Sequence, residues 1–298
     1  MSAVLHPRTA QPAESKTSRR QLRRQADHEQ TSRGRWWRFL LLLVLTLVIL
    51  IPVFVTVLLS LTPGTGSAQK TGLTLENFVN VLTGTLTPTW LGNSLITTLA
   101  TVVVCVAVAA PAGYVLSRGR SKLVAGYSLL LFVIQSLPVI TAVIPLFVLF
   151  ANIGLVDNLG GITIIYVGAS MSVAIWMMAA YFDSIPISLE EAAWIDGASV
   201  FGSFTRVVLR NSLPGILSTA IFAFLLAWND YLVAIVFLRT DTTFTLPMGV
   251  QSFFQQNTTD WSSVTAVAVI MMLPPVIVFA TLNRYFSVGG IGGSLAGR

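Results

Sequence analysis

Residues 188–210 read Ser188-Leu-Glu-Glu-Ala-Ala-Trp-Ile-Asp-Gly-Ala-Ser-Val-Phe-Gly-Ser-Phe-Thr-Arg-Val-Val-Leu-Arg210, a polar, helix-patterned island in an apolar chain. Ser188 followed by Glu191 has the spacing of a capping box, in which the serine hydroxyl accepts from the Glu191 amide and that carboxylate reaches back to the Ser188 amide. Glu190 and Glu191 would sit in the first turn, near the positive end of the helix dipole. Gly197 stands where a left-handed C-terminal cap wants glycine, so the first helix is expected over Leu189 to Asp196. Beyond it Val200, Phe201, Phe204, Val207 and Val208 fall on one helical face, with Ser199, Ser203, Arg206 and Arg210 on the other. Pro214 suits the first turn of a third helix, with Asn211 or Ser212 as its cap. Two amphipathic helices of this kind most simply lie on a membrane or pack beneath their own bundle. The residue identities add something more specific: Ala192 and Ala193 form a small, flat face, Glu191 supplies a charge, and Gly197 fixes the angle between the helices. Such a pair is a rigid knob for another protein.

The surrounding chain explains why the island stands out. Of 298 residues 54% are apolar and only 10% charged, against about 25% charged in a soluble domain, and the mean hydropathy is +0.77. This is the composition of a membrane protein. The net charge of +6 would suit a nucleic acid, but the basic residues gather in the N-terminal tail and in short loops, a distribution that orients a protein in a bilayer. No nucleic-acid partner is expected. One cysteine, Cys105, excludes a disulfide framework and offers no metal-ligand spacing. His6 and His28 both lie in the polar tail.

Taken in order, residues 1–38 are rich in Arg, Gln, Ser and Thr and too poor in large apolar residues to offset the entropy of ordering. A disordered tail is expected, its nine basic residues attracted to anionic lipid headgroups. Phe39 to Leu61 then runs without a charge, long enough to cross about 30 Å of hydrocarbon, and no cleavage site follows it. Further spans are expected over about 91–116, 125–150, 161–181, 213–238 and 263–282. A Gly/Pro/Thr-rich segment with an amphipathic piece at 73–82 follows the first span, and a flexible glycine-rich tail occupies 286–298. The transmembrane core is thus expected over 39–285, all-α, with the knob in the loop 183–211. Six spans put both termini on one side. Sixteen Lys and Arg fall on that side against two on the other, so the termini and the knob are expected in the cytoplasm.

Glu191-Ala-Ala-x-x-Asp-Gly-Ala198, with Phe204 and Val-Val-Leu209 downstream, resembles the EAA loop of the permease subunits of ATP-binding-cassette importers. Ile144-Pro-Leu-Phe147, Gly154-Leu-Val156, Ser184-Ile-Pro186, Trp228-Asn-Asp-Tyr231, Thr245-Leu-Pro-Met-Gly249 and the glycine-rich end resemble the carbohydrate-uptake, maltose-permease branch. The likeness extends over roughly 39–298. One position departs from it: the family's loop commonly ends Leu-Pro, and here Leu209 precedes Arg210.

The resemblance implies a prokaryotic plasma-membrane transport subunit, not an enzyme, that forms half of a translocation pathway. It implies as partners a second homologous permease, two ATPase subunits, an external solute-binding protein and a sugar-like substrate. ATP and Mg would bind the ATPase subunits, since this chain has no Gly-x-x-x-x-Gly-Lys-Ser/Thr loop. Glu191 would make the charged contact to the ATPase, Ala192 and Ala193 the close packing, Gly197 the turn, and Asp196 a cap or second polar contact, with Phe204 in the second helix.

Polar groups inside spans are expensive and usually functional. Gln135 and Ser136, and Trp228, Asn229, Asp230 and Tyr231, are therefore candidates for the substrate path or an outer gate, and the Asn-Asp pair serves equally well as a clamp between helices. Trp176 and Tyr181 offer stacking surfaces but suit interfacial anchors better. A secondary transporter would more often show paired intramembrane acids or broken helices, and a membrane hydrolase would need a nucleophile and base at membrane depth. The nearer alternative is the same importer class carrying glycerol phosphate, a glycerophosphodiester or a polyol. If the basic tail only binds lipid, deletion of residues 1–33 leaves uptake within about twofold of the intact chain, as expected for a segment that adds only membrane attraction. Complete loss of uptake would assign the tail to assembly or regulation.

Overall fold

The computed structural model describes residues 16–64, 72–254 and 259–286. Residues 1–15 and the glycine-rich tail from 287 onward lie outside them. The elements are α1 (Lys16–Ser60), α2 (Glu76–Thr83), α3 (Thr87–Arg118), α4 (Lys122–Ser136), α5 (Val139–Asn152), α6 (Leu159–Asp183), α7 (Ser188–Ile195), α8 (Val200–Ser203), α9 (Leu209–Asn211), α10 (Leu213–Trp228), α11 (Leu232–Phe237), α12 (Leu246–Gly249) and α13 (Trp261–Phe286). A π turn, Phe204–Val208, joins α8 to α9. Among the described residues the extended pairing is one isolated bridge between Phe254 and Thr259. The fold is all-α, as expected.

The chain divides into two compact units, Met1–Val55 and Thr56–Arg298. In the first, α1 starts at Lys16, inside the tail expected to be disordered. Arg and Gln, which recur from Lys16 onward, are good helix formers, and an apolar helix directly downstream supplies a ready-made nucleus.

Among the described residues four helices are long and apolar enough to cross a membrane, namely α1 from Trp36, α3, α6 and α13 to Leu282, and up to six spans result if each of two bent pairs, α4 with α5 and residues 200–211 with α10, counts as one. The expected third span, 125–150, is not one helix. It breaks between α4 and α5 at Leu137-Pro138, where Leu137 is extended (φ −80°, ψ 123°), because the ring of a proline clashes with a helical residue before it. The fifth, expected over 213–238, also breaks: α10 ends at Trp228 and α11 starts at Leu232. Hydropathy counts length and is blind to such breaks.

The second unit is built on α3 and α6. Their shared face buries Cys105, Ala109 and Ala110 against Ala174, Ile175 and Met178. Small residues allow close backbone approach, the usual way helices associate where lipid removes the hydrophobic drive. Gly113 marks the tightest point, since a Cβ there would lie 2.7 Å from Met178 Cβ and 3.0 Å from both Ala179 N and Ile175 O. A second cluster joins α5, α6 and α11 through Phe150, Ile165, Tyr166 and Phe237. A third joins α2, α3, α10 and α13 through Val81, Trp90, Phe224, Trp228 and Val267.

Gly113→Ala should therefore lower the melting temperature of the purified protein, with overpacking costing about 1–3 kcal/mol. Gly126, with nothing within 4 Å of its would-be Cβ, is the control: its change to alanine should leave stability unchanged or raise it by about 0.5–1 kcal/mol through helix propensity. Equal melting curves for the two variants would show that the α3–α6 contact yields more easily than its geometry implies.

Candidate functional site

The knob forms as two short helices about Gly197. α7 spans Ser188–Ile195, and the chain reverses through Asp196 and Gly197, whose φ of 86° is a left-handed conformation that glycine adopts without strain. Ala198 N donates to Ala193 O at 2.9 Å and Gly197 N to Trp194 O at 3.0 Å, the bond pair of a Schellman C-cap. The start of α7 differs from expectation. No side-chain capping bond forms there, and the Glu191 amide donates instead to the Ile187 carbonyl at 3.0 Å. Ser188 is not the cap because Pro186 and Ile187 already supply the first turn's carbonyls, with Leu189 N on Pro186 O and Glu190 N on Ile187 O.

The second helix is capped by Ser199, whose hydroxyl accepts from Gly202 N at 3.1 Å. Its π turn modifies the expected faces: Phe204 and Val208 are buried, but Ser203 is buried too, while Val200 and Phe201 are 60% and 74% exposed. The Ser203 hydroxyl has no hydrogen-bond partner. At the departure from the family pattern, the helix runs on through Arg210 to Asn211, and the chain then bends by 75° into α10. Ser212 does not cap α10 with its side chain. Its hydroxyl donates back to Val208 O at 2.6 Å.

Of the residues singled out in the loop, Glu191, Ala192, Asp196 and Gly197 are exposed and Ala193 is half-buried. Phe204 faces inward, 4.7 Å from the Tyr114 ring and 6.2 Å from Phe182. The same loop exposes apolar side chains that periodicity had assigned to packing or left unnoticed: Leu189, Trp194, Ile195 at 86% exposure, Val200 and Phe201. The interior holds a residue that the sequence marked only as a first-turn acid. Glu190 is buried, and its carboxylate accepts from Tyr114 Oη at 2.6 Å and Arg118 Nε at 2.8 Å.

The membrane candidates separate. Trp228 is buried, stacked on Phe224 at 5.7 Å, and donates to the Met271 carbonyl of α13. Asp230 caps α11, accepting from Val233 N and Ala234 N at 3.1 Å each, and takes the Tyr166 hydroxyl of α6 at 2.9 Å. Tyr231 donates to Gln251, and the exposed Asn229 bonds back to Leu225 O. The Asn-Asp pair thus marks a helix end followed by a cap, the positions where these residues satisfy orphan amides. Gln135 and Ser136 lie elsewhere, at the α4–α5 break. Ser136 bonds back to Phe132 O, and Gln135 lines an apolar cavity of about 360 Å³ with Leu146, Phe150, Ile164 and Gly168. Of the two stacking candidates, Trp176 meets Phe132 at 6.5 Å, and the Tyr181 ring covers Gly215 so closely that a Cβ there would lie 2.3 Å from it.

At the opposite end of α6 from the knob, Asp157 ties two loops together. Its carboxylate accepts from Arg239 N at 2.9 Å, Thr240 N at 3.1 Å and the hydroxyls of Thr240 and Thr243. Its own amide donates to Phe237 O. Trp90 Nε1 and Asn93 Nδ2 grip the same loop from α3, through the carbonyls of Asp241, Thr242 and Phe244. Partial burial pushes the Asp157 carboxyl up, but the hydrogen bonds from Thr240, Thr243 and the two amides outweigh it and hold the group far below the usual carboxylate range.

A bundle of apolar helices with broken spans and an exposed two-helix knob suits a membrane transport subunit. The chain belongs to the family of binding-protein-dependent transport system inner membrane components, whose model matches residues 107–288. It is a permease subunit of an ATP-binding-cassette importer, a class that works with ATPase and solute-binding partners and is not itself enzymatic. It is 32% identical to the maltodextrin transport system permease protein MalD of Streptococcus pneumoniae, over 84% of this chain and 91% of that one. It is 30% identical to the trehalose transport system permease protein SugB of Mycobacterium tuberculosis, over 89% and 98%. Among solved structures, a chain of a bacterial ABC transporter involved in the import of the acidic polysaccharide alginate superposes with a TM-score of 0.71, covering 93% of this chain and all of that chain at 23% identity. That likeness shows the fold.

Because the Asp157 carboxylate is favoured by folding, its contribution is complete above about pH 4 and is lost as pH falls from there toward its folded value. Asp157→Asn should cost about 1 kcal/mol per hydrogen bond lost at neutral pH, and should flatten the fall in melting temperature below pH 4. A variant whose pH–melting curve overlays the parent would remove Asp157 from this role.

Proposed function

We propose that the chain forms half of the translocation pathway of a sugar or oligosaccharide importer in a prokaryotic plasma membrane, paired with a second, homologous permease. In this reading loop 183–211 lies in the cytoplasm with both termini and is the seat of the ATPase. One observation carries it. The knob exposes Ile195, Val200 and Phe201 around Glu191 and the flat Ala192, in a segment that composition marks as polar. Clustered exposed apolar side chains with a polar rim are the signature of a protein contact, and Ile195 and Phe201 have the shape of anchors for a pocket. Glu191 at their edge suits an Arg or Lys of the partner. The turn at Gly197 holds the two halves of this surface at one angle.

The charge asymmetry of the loops supports the orientation. The maltodextrin and trehalose relatives support a sugar substrate. Asp230, occupied by α11 and Tyr166, fits a brace for the broken fifth span, whereas exposed Asn229 and Gln135 remain the better candidates for lining a path.

Glu191→Lys and Gly197→Pro should leave membrane insertion normal while lowering uptake of radiolabelled maltotriose and trehalose, and permease-stimulated ATP hydrolysis, by more than about tenfold, the effect of losing a central contact worth about 2 kcal/mol. Phe201→Ala should weaken retention of the ATPase on the purified permease. Unchanged uptake and ATPase retention in all three would remove the loop from the coupling role.

A further inference from the structure

We propose that Glu190 is a positioning residue of energy coupling: with Arg118 and Tyr114 it forms a buried clasp through which movement of the knob is delivered to the far end of α3. This inference rests on the reading of the loop as the ATPase seat and deepens it. The exposed residues gather the force, and the clasp carries it inward.

The geometry is that of a joint. Glu190 Oε1 accepts a hydrogen bond from Arg118 Nε at 2.8 Å and forms an ion pair with Nη2 of the same guanidinium, also at 2.8 Å, with the glutamate side chain 1% exposed and the arginine 17%. Oε2 takes the Tyr114 hydroxyl at 2.6 Å. Arg118 then reaches the strand of chain leading into the knob, donating from Nη2 to Ile185 O at 3.2 Å and from Nη1 to Ser117 Oγ at 3.1 Å. Ser117 in turn donates to Asp183 at the end of α6. One arginine therefore ties together the end of α3, the end of α6 and the start of α7.

Tyr114 extends the joint to the other half of the knob. Its hydroxyl holds Glu190 of the first helix while its ring lies 4.7 Å from Phe204 of the second, and 6.1 Å from Phe182 of α6. Movement of either helix of the knob meets the same side chain. Apolar contacts alone would let the knob slide, because they are nearly indifferent to small lateral shifts. Charge-assisted bonds are directional and hold register.

Stability does not account for this arrangement. A buried ion pair commonly costs in desolvation what it returns in attraction, and apolar replacements of similar volume are often as stable. Leucine and phenylalanine would glue these helices at least as well. What an ion pair adds is a specified geometry between three elements, which a force-bearing joint needs.

The test uses the assembled importer with its ATPase in nanodiscs, in a Cys105→Ala background. An environment-sensitive fluorophore on a cysteine at exposed Ile96 of α3, about 33 Å along the helix from Arg118, reports the response to ATP and Mg. Glu190→Gln and Tyr114→Phe are the probes, the second deleting one hydroxyl only. Both should retain the ATPase on the complex and its hydrolysis of ATP, while the ATP-induced fluorescence change per ATP hydrolysed falls about tenfold in Glu190→Gln, the loss of one charge-assisted hydrogen bond, and by less in Tyr114→Phe. A full fluorescence response in both variants overturns the clasp. Loss of ATPase retention in both also overturns it, making Glu190 a scaffold for the docking surface. Glu191→Lys separates the two readings: if it retains ATPase and response, the seat itself is misassigned, and if it alone is defective, only the clasp fails. Glu190→Gln failing to insert leaves Tyr114→Phe to decide.

Discussion

The close approach of α3 and α6 is the constraint on which the second unit depends. In hydrocarbon, lipid tails solvate a leucine as well as a neighbouring helix does, so helices gain little by burying large apolar side chains against one another. They associate where backbones come near enough for dense van der Waals contact. Gly113, pressed on Met178 and the backbone of Ile175 and Ala179, with Ala109, Ala110 and Ala174 beside it, supplies that approach. The bulky residues are then free to do something else. Phe150, Phe237, Phe224 and Trp228 fill the space around the pair and attach the broken spans to it.

The breaks in the spans follow from the same solvent argument. A helix interrupted at membrane depth leaves orphan amides and carbonyls, which hydrocarbon does not tolerate unless protein satisfies them. At the α10–α11 break Asp230 caps the new helix and Tyr166 takes up its remaining capacity. At the α4–α5 break Ser136 bonds back along its helix, and the extended Leu137 carries the chain past Pro138. The polar residues that a scan of the spans marks as functional are thus partly the cost of breaking a helix. A broken helix is itself the commoner way for a transporter to open space within the membrane.

What the sequence disclosed and what it concealed divide along the same line. The all-helical membrane fold, the helical knob, its glycine turn and the family were legible, because hydropathy length, a 3.6-residue period and a left-handed cap are local properties. Gly197 illustrates this: its φ of 86° and the two Schellman bonds are closed within the stretch Ala193 to Ala198. Glu190 was invisible as anything but a first-turn acid, because its partners Tyr114 and Arg118 lie more than seventy positions away. The capping box at Ser188 failed for a related reason, since Pro186 and Ile187 had already begun the turn. Leu137-Pro138 was the missed local signal, and Trp228-Asn-Asp-Tyr231, weighed as a gate or as a clamp between helices, has a spacing that also spells a helix end and a new cap.

The two ends of the α3–α6 pair are fastened by different chemistry, and the difference has a mechanical meaning. At one end Asp157 gathers backbone amides and hydroxyls from a single loop, and Trp90 and Asn93 of α3 hold that loop's carbonyls. These are many bonds to backbone, which lock a loop in place with no alternative partner. At the other end the clasp is built from side chains alone on the carboxylate, two of them long and rotatable, and it joins separate elements. Long side chains can pivot about their torsions and keep their bonds while the joined elements change angle, whereas a backbone cradle fixes the angle as well as the contact. Under the proposed coupling role, a pair of helices fixed firmly at one end and jointed at the other would turn a displacement of the knob into a tilt of that pair about its fixed end.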